Sequence, residues 1–118
     1  MKVIIAGGRD FNDYKLLVDV CDHMLSTQDP KSIEIVSGCA RGADKLGERY
    51  AEERGYKIKY FPADWEMGKS AGYLRNKQMS EYADALIAFH DGFSKGTGHM
   101  INLAKEKELK IKVQKYGF

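Results

Sequence analysis

The sequence predicts an α/β domain, a mostly parallel five-stranded sheet with helices on both faces. Three observations carry this expectation. Short apolar runs alternate with amphipathic stretches at helical spacing, strand then helix, along the whole chain. Three of the strand ends run straight into glycine-bearing loops. The 118 residues, 43% hydrophobic and 31% charged, suit one compact domain over residues 1–118 that buries a core without disulfides or a structural metal.

The elements follow in order. Residues 2–6 form a short buried strand that enters the loop of residues 7–12. A helix follows from about Asp13, with Asn12 or Asp13 as its N-cap. Leu17, Val20, Cys21, Met24 and Leu25 share one face of it, and residues 28–30 end it. Residues 33–36 are the second strand and residues 37–42 the second glycine loop. The next helix carries Ala43, Leu46, Gly47, Tyr50 and Ala51 inward and stops at Gly55. Residues 56–61 alternate with lysines and read as a strand at a sheet edge, where lysine discourages further pairing. Residues 62–72 read as the longest irregular stretch, a length that is often functional in a compact domain. A helix from about Ala71 carries Arg75, Asn76, Met79 and Tyr82. Residues 85–89 are the fourth strand and residues 90–98 the third glycine loop. A helix with Met100, Leu103 and Ala104 inward and a last strand near residues 111–114 complete the chain.

Composition excludes several classes. Lys plus Arg total 19 against 17 Asp plus Glu, a net charge of +2, which argues against nucleic acid as the partner. Cys21 and Cys39 form no CxxC pair, and Met1 leads directly into a short apolar run rather than a secretory leader. No apolar run is long enough to span a membrane. The expectation is a cytoplasmic protein with reduced thiols. The histidines and cysteines show no metal-ligand spacing, so neither a metal nor a cofactor is expected.

Ligands of parallel sheets bind beyond the carboxyl ends of the strands, which is where all three glycine loops fall. Glycine lets the backbone approach a ligand, and a helix start beside it offers free N–H groups to phosphate. Gly7-Gly8-Arg9, Ser37-Gly38 through Gly42-Ala43-Asp44, and Gly96-Thr97-Gly98 all have this form. The pattern GxxxxGK[ST] is absent, as is GxGxxG after the first strand. Ser37 and Gly38 stand where a dinucleotide fold needs an acidic residue, which excludes an ordinary NAD-dependent dehydrogenase.

Single residues read as follows. Arg9 and Arg41 either grip phosphate through paired hydrogen bonds or form surface ion pairs, with phosphate favoured for Arg41. Asp10 and Asp44 serve ribose hydroxyls or helix starts, Asp44 leaning to the structural role. Ser37 donates to a phosphate or closes its own turn, whereas Thr97, between glycines at a helix start, favours phosphate. Trp65 and Tyr73 can stack on a base, although Trp65 reads rather as a loop anchor packed on the core. Phe11 reads as a helix staple, and His99 reaches ligand from its helix start.

The motifs VIIAGGRDF (residues 3–11), VSGCARGAD (36–44), FPADW (61–65), Arg75-Asn76 with Met79, and Gly96-Thr97 resemble the YspA-like branch of the SLOG superfamily, in order and over nearly the whole chain. The resemblance implies a Rossmann-like three-layer sandwich of strand order 3-2-1-4-5 and a nucleotide-derived ligand. It implies a homo-oligomer, since such proteins commonly assemble as dimers or larger. It also raises Arg75 and Asn76 to ligand-binding candidates. Lonely-guy phosphoribohydrolases, which are similar, pair RKxxM with PGGxGTxxE. Asn76 replaces the lysine here and Met100 the glutamate. N-glycosidic hydrolysis needs a positioned carboxylate, so the loss argues against an enzyme, leaving Asp10, Asp44 or Asp91 as the only substitutes at hand. The DNA-processing protein of natural transformation has SGxARGID, similar to residues 37–44, and implies single-stranded DNA as an alternative ligand. Relatives that sense ADP-ribose-like or cyclic nucleotide signals in bacterial and phage conflict bind without turnover. The resulting expectation is sensing or sequestration of such a signal, including a phage anti-defence role.

Overall fold

The computed structural model describes residues 1–117. The chain runs β1 (Lys2–Gly7), α1 (Tyr14–Leu25), β2 (Glu34–Ser37), α2 (Ala43–Arg54), β3 (Lys57–Tyr60), α3 (Ala71–Tyr82), β4 (Ala85–His90), α4 (Lys95–Glu106) and β5 (Lys110–Lys115). The strands lie in the order β3-β2-β1-β4-β5, and every pairing is parallel. This is the Rossmann-like order expected from the motifs.

Strand alternation divides the core into two layers. Val3 and Ile5 of β1 face Leu17 and Cys21 of α1 and Tyr50 and Ala51 of α2. Ile4 and Ala6 face Met79 of α3 and Met100 and Ala104 of α4. Both faces of β1 are therefore covered, which is why residues 3–6 are uniformly apolar rather than alternating with polar ones. Each fully buried Ile or Leu in these layers contributes about 1.5–3 kcal/mol by leaving water.

Caps set the helix limits. Asp13, rather than Asn12, is the N-cap of α1, and its carboxylate accepts from the Leu16 amide at 3.1 Å. Gly55 ends α2 in the left-handed region at φ 74°. Both sheet edges carry lysines, Lys57 and Lys59 on β3 and Lys110, Lys112 and Lys115 on β5.

Residues 62–72 are less irregular than their sequence indicates. A 3₁₀ segment, Trp65–Ser70, is interrupted at Gly68 (φ 82°) and leads into α3. Its tight, short turns lack the 3.6-residue period that marks a helix in sequence. Phe11, which its sequence position marks as a helix staple, shares a core layer with Leu17 of α1. It is 2% exposed, stacked on Phe89 at 4.7 Å and edge-on to Tyr116 at 4.8 Å, and it pins the loop after β1 to the core.

From β1 the chain crosses toward β2, and from β4 it crosses to the other side, toward β5. The strand order reverses between β1 and β4, so their carboxyl ends diverge into a crevice.

Candidate functional site

A cleft of ≈ 360 Å³ occupies that crevice. Gly7, Gly8, Arg9 and Asp10 come from the end of β1, and Ala40 and Asp44 from the β2 loop and α2. Asp91, Ser94, Gly96 and Thr97 come from the end of β4 and the start of α4. Arg75 and Asn76 of α3 form one wall, and Met79 and Met100 also line the cleft.

The glycines let these loops meet. Gly42 sits at φ 78°, and a Cβ there would overlap the backbone of Gly8 and Arg9. The Ala43 amide, one residue on, donates to the Gly8 carbonyl at 3.3 Å. A Cβ on Gly8 would run into the Tyr116 hydroxyl, which itself donates to Asp10 at 2.7 Å. The loops after β1 and β2 are thus packed backbone to backbone, a closeness only glycine permits.

Helices α2 and α4 start at this cleft, and neither start has a side-chain cap bond. At α4 the Ser94 hydroxyl pairs instead with Thr97 Oγ1 at 3.1 Å. The first-turn amides of a helix have no partner within it and carry a positive partial charge. Gly96, in the first turn of α4, is exposed, and nothing lies within 4 Å of its Cβ position.

Arg75 ties the walls together. Its Nη1 donates to the Gly38 carbonyl and its Nε to Asn76 Oδ1 at 3.0 Å. Asn76 Nδ2 reaches the Gly96 carbonyl at 3.2 Å and His99 Nδ1 at 3.2 Å. A continuous chain of bonds therefore runs from the β2 loop to the start of α4. The His99 ring stacks on Tyr73 at 3.7 Å, and its buried Nε2 has no hydrogen-bond partner. Burial lowers its pKa, which favours the neutral ring.

Three carboxylates border the cleft, in different electrostatic states. Asp44 is 5% exposed, and burial pushes its carboxyl up to about 6 despite a hydrogen bond from the Ala40 amide (3.3 Å) and the charge of Arg75. Asp91 accepts from the amides of Phe93 and Ser94, both at 2.8 Å, which hold it below the usual carboxylate range. Asp10 is exposed and bound to Tyr116. Two arginines and free amides suit phosphate, and hydrogen-bond-accepting carboxylates suit sugar hydroxyls.

Of the residues singled out from sequence, Gly7, Gly8, Arg9, Asp10, Asp44, Arg75, Asn76, Gly96 and Thr97 share this cleft. Gly38 and Arg41 line an adjoining cavity. Gly42, Gly98 and His99 are on neither lining. Ser37 is 1% exposed, gives its hydroxyl to Glu48 at 2.6 Å and accepts from the Cys39 amide at 3.1 Å, so it closes its own turn. Trp65 is not packed on the core as its sequence context indicates, being 60% exposed. Asp91, considered from sequence only as a substitute carboxylate, and Ser94, not singled out at all, also line the cleft. Their signal was position alone, directly after β4 and before a helix start. Among the described residues no group of three His, Cys, Asp or Glu comes together as a metal site, and no helix is long and apolar enough to cross a membrane.

A sequence model of the YspA, cpYpsA-related SLOG family matches residues 1–68. The chain is 34% identical to the Gene 61 protein of Mycobacterium phage D29, with 93% of each chain covered. Its fold is similar to that of DNA processing protein A from Helicobacter pylori, whose single-stranded DNA binding mode is described structurally. The TM-score is 0.69 and the identity 20%, over 96% of this chain and 64% of that one. The chain thus spans just under two thirds of that protein's length, and at this identity the likeness is one of fold.

Proposed function

We propose that this chain, which belongs to the YspA, cpYpsA-related SLOG family, is a single ligand-binding domain for a nucleotide-derived small molecule. The ligand is of the ADP-ribose or cyclic nucleotide kind, and its role is sensing or sequestration. The observation that carries this reading is the cleft itself. It has the size of a small-molecule site and lies at the switch point of the sheet. It also combines Arg9, Arg75 and an uncapped helix start with carboxylates fit for ribose. Met100, 1% exposed on the lining, leaves a thioether where phosphoribohydrolases place a carboxylate, which favours binding over turnover. The phage origin of the relative supports sequestration of a host nucleotide signal as the context.

Single-stranded DNA is the second reading, favoured by the fold of the Helicobacter pylori protein. The three carboxylates on the cleft and a net charge of only +2 weigh against a phosphate backbone lying through it.

Calorimetric titration with AMP, ADP-ribose and cyclic di-AMP tests the reading. Saturable binding of at least one, with Kd on the order of 1 μM and no base released, is the expected result. No heat from any of the three would overturn it. Free adenine from AMP would replace binding by N-glycosidase activity. A steeply salt-dependent gel shift with oligonucleotides, and no nucleotide binding, would establish the DNA reading instead.

A further inference from the structure

Beside the cleft lies a second cavity of ≈ 470 Å³, and Arg9, Ala40 and Arg75 line both. The two differ in chemistry. The cleft carries Asp10, Asp44 and Asp91, whereas the second cavity has no carboxylate on its lining and has Arg41, Pro62 and Trp65.

Trp65 is held in place yet left in water. The Asp64 carboxylate caps its turn through the Glu66 amide at 3.2 Å. The Cβ position of Gly72 lies 3.5 Å from Cη2 of the indole and 3.8 Å from Nη2 of Arg75. The ring therefore rests against the first turn of α3 beside a guanidinium, while 60% of the residue stays exposed. Exposing an indole sacrifices a large apolar contact, and a flat partner would recover it.

We propose that the Trp65 cavity is the base-binding half of a two-part site. A nucleoside diphosphate joined to a second sugar lays its base on Trp65 and its diphosphate across Arg9 and Arg75. Its distal sugar reaches the carboxylates of the first cleft. The inference rests on the function proposed above and narrows its ligand class. A ligand with two bases fits less well, because the first cleft offers Met79 and Met100 rather than an aromatic face.

Trp65 is the chain's single tryptophan, so fluorescence excited at the red edge, where the seven tyrosines do not absorb, reports on this cavity alone. ADP-ribose is the probe and ribose 5-phosphate its base-free counterpart. ADP-ribose is expected to quench the fluorescence saturably. Trp65→Ala, with an unchanged circular dichroism spectrum, is expected to weaken ADP-ribose binding about ten- to thirtyfold by calorimetry, as loss of one stacked base does. Trp65→Phe should recover most of it, and ribose 5-phosphate should bind both forms equally. Equal ADP-ribose affinity in wild type and Trp65→Ala, without quenching, would overturn the inference and leave the nucleotide reading standing. Absence of binding by any nucleotide would remove both. Quenching by a short oligothymidine but not by ADP-ribose would assign the aromatic surface to single-stranded DNA and overturn the inference.

Discussion

Arg75→Ala is expected to weaken nucleotide binding about thirtyfold or more, because truncating one partner of a close charge pair costs about 2–5 kcal/mol. Arg75 stands on the ridge between the two cavities. Two of its nitrogens are already committed, one to the Gly38 carbonyl and one to Asn76, which fixes the guanidinium before any ligand arrives. Nη2 is the nitrogen left to meet a phosphate. The loss would exceed that of a single contact, since the same side chain positions the β2 loop and, through Asn76, the Gly96 carbonyl at the start of α4. Arg75→Lys keeps the charge but not the fork, and its effect should fall between alanine and wild type. Calorimetry on both variants checks this. Wild-type affinity in Arg75→Ala would remove the ridge from the site.

Asp44→Asn is expected to stabilise the fold at pH 7 by about 2–3 kcal/mol. Burial raises the Asp44 carboxyl to about 6, against about 3.9 for an unstrained aspartate in an unfolded chain. Between these values the folded chain holds a proton that the unfolded chain has lost. Stability is therefore full below about pH 4 and falls as the pH rises through 6, each pH unit of the interval corresponding to about 1.4 kcal/mol. Asparagine has the same shape, accepts the same Ala40 hydrogen bond and carries no charge to desolvate. Thermal unfolding of both forms from pH 4 to 8 checks this. The two curves should converge at the acid end, separate between about pH 4 and 6, and run parallel above that. A constant separation would mean that Asp44 does not titrate in this interval.

The fold was legible in sequence because the central strands β1, β2 and β4 are apolar runs buried on both faces, the edge strands carry lysines, and helical stripes mark the helices between them. The order of strands came from matching motifs, since alternation alone leaves several orders open. Glycine made three loops visible, and they do converge. What the loops omit is less readable. Asp91 owes its place to amides of its own turn. Ser37 is taken by Glu48, eleven residues away on α2, a partner that no local pattern names. Trp65 looked like a core anchor because indole is usually buried. It sits instead, 60% exposed, at the start of a 3₁₀ segment broken at Gly68, whose geometry has no sequence period.

The most direct measurement is a ¹H–¹⁵N correlation spectrum of the full chain titrated with ADP-ribose. Saturable shifts are expected at the amides of Gly7, Gly8, Arg9, Gly38, Arg41, Gly96 and Thr97, with Lys2, Glu34 and Asp84 at the opposite end of the sheet unmoved. Shifts centred on that opposite end, or none at saturating ligand, would contradict a nucleotide site at the carboxyl ends of the strands.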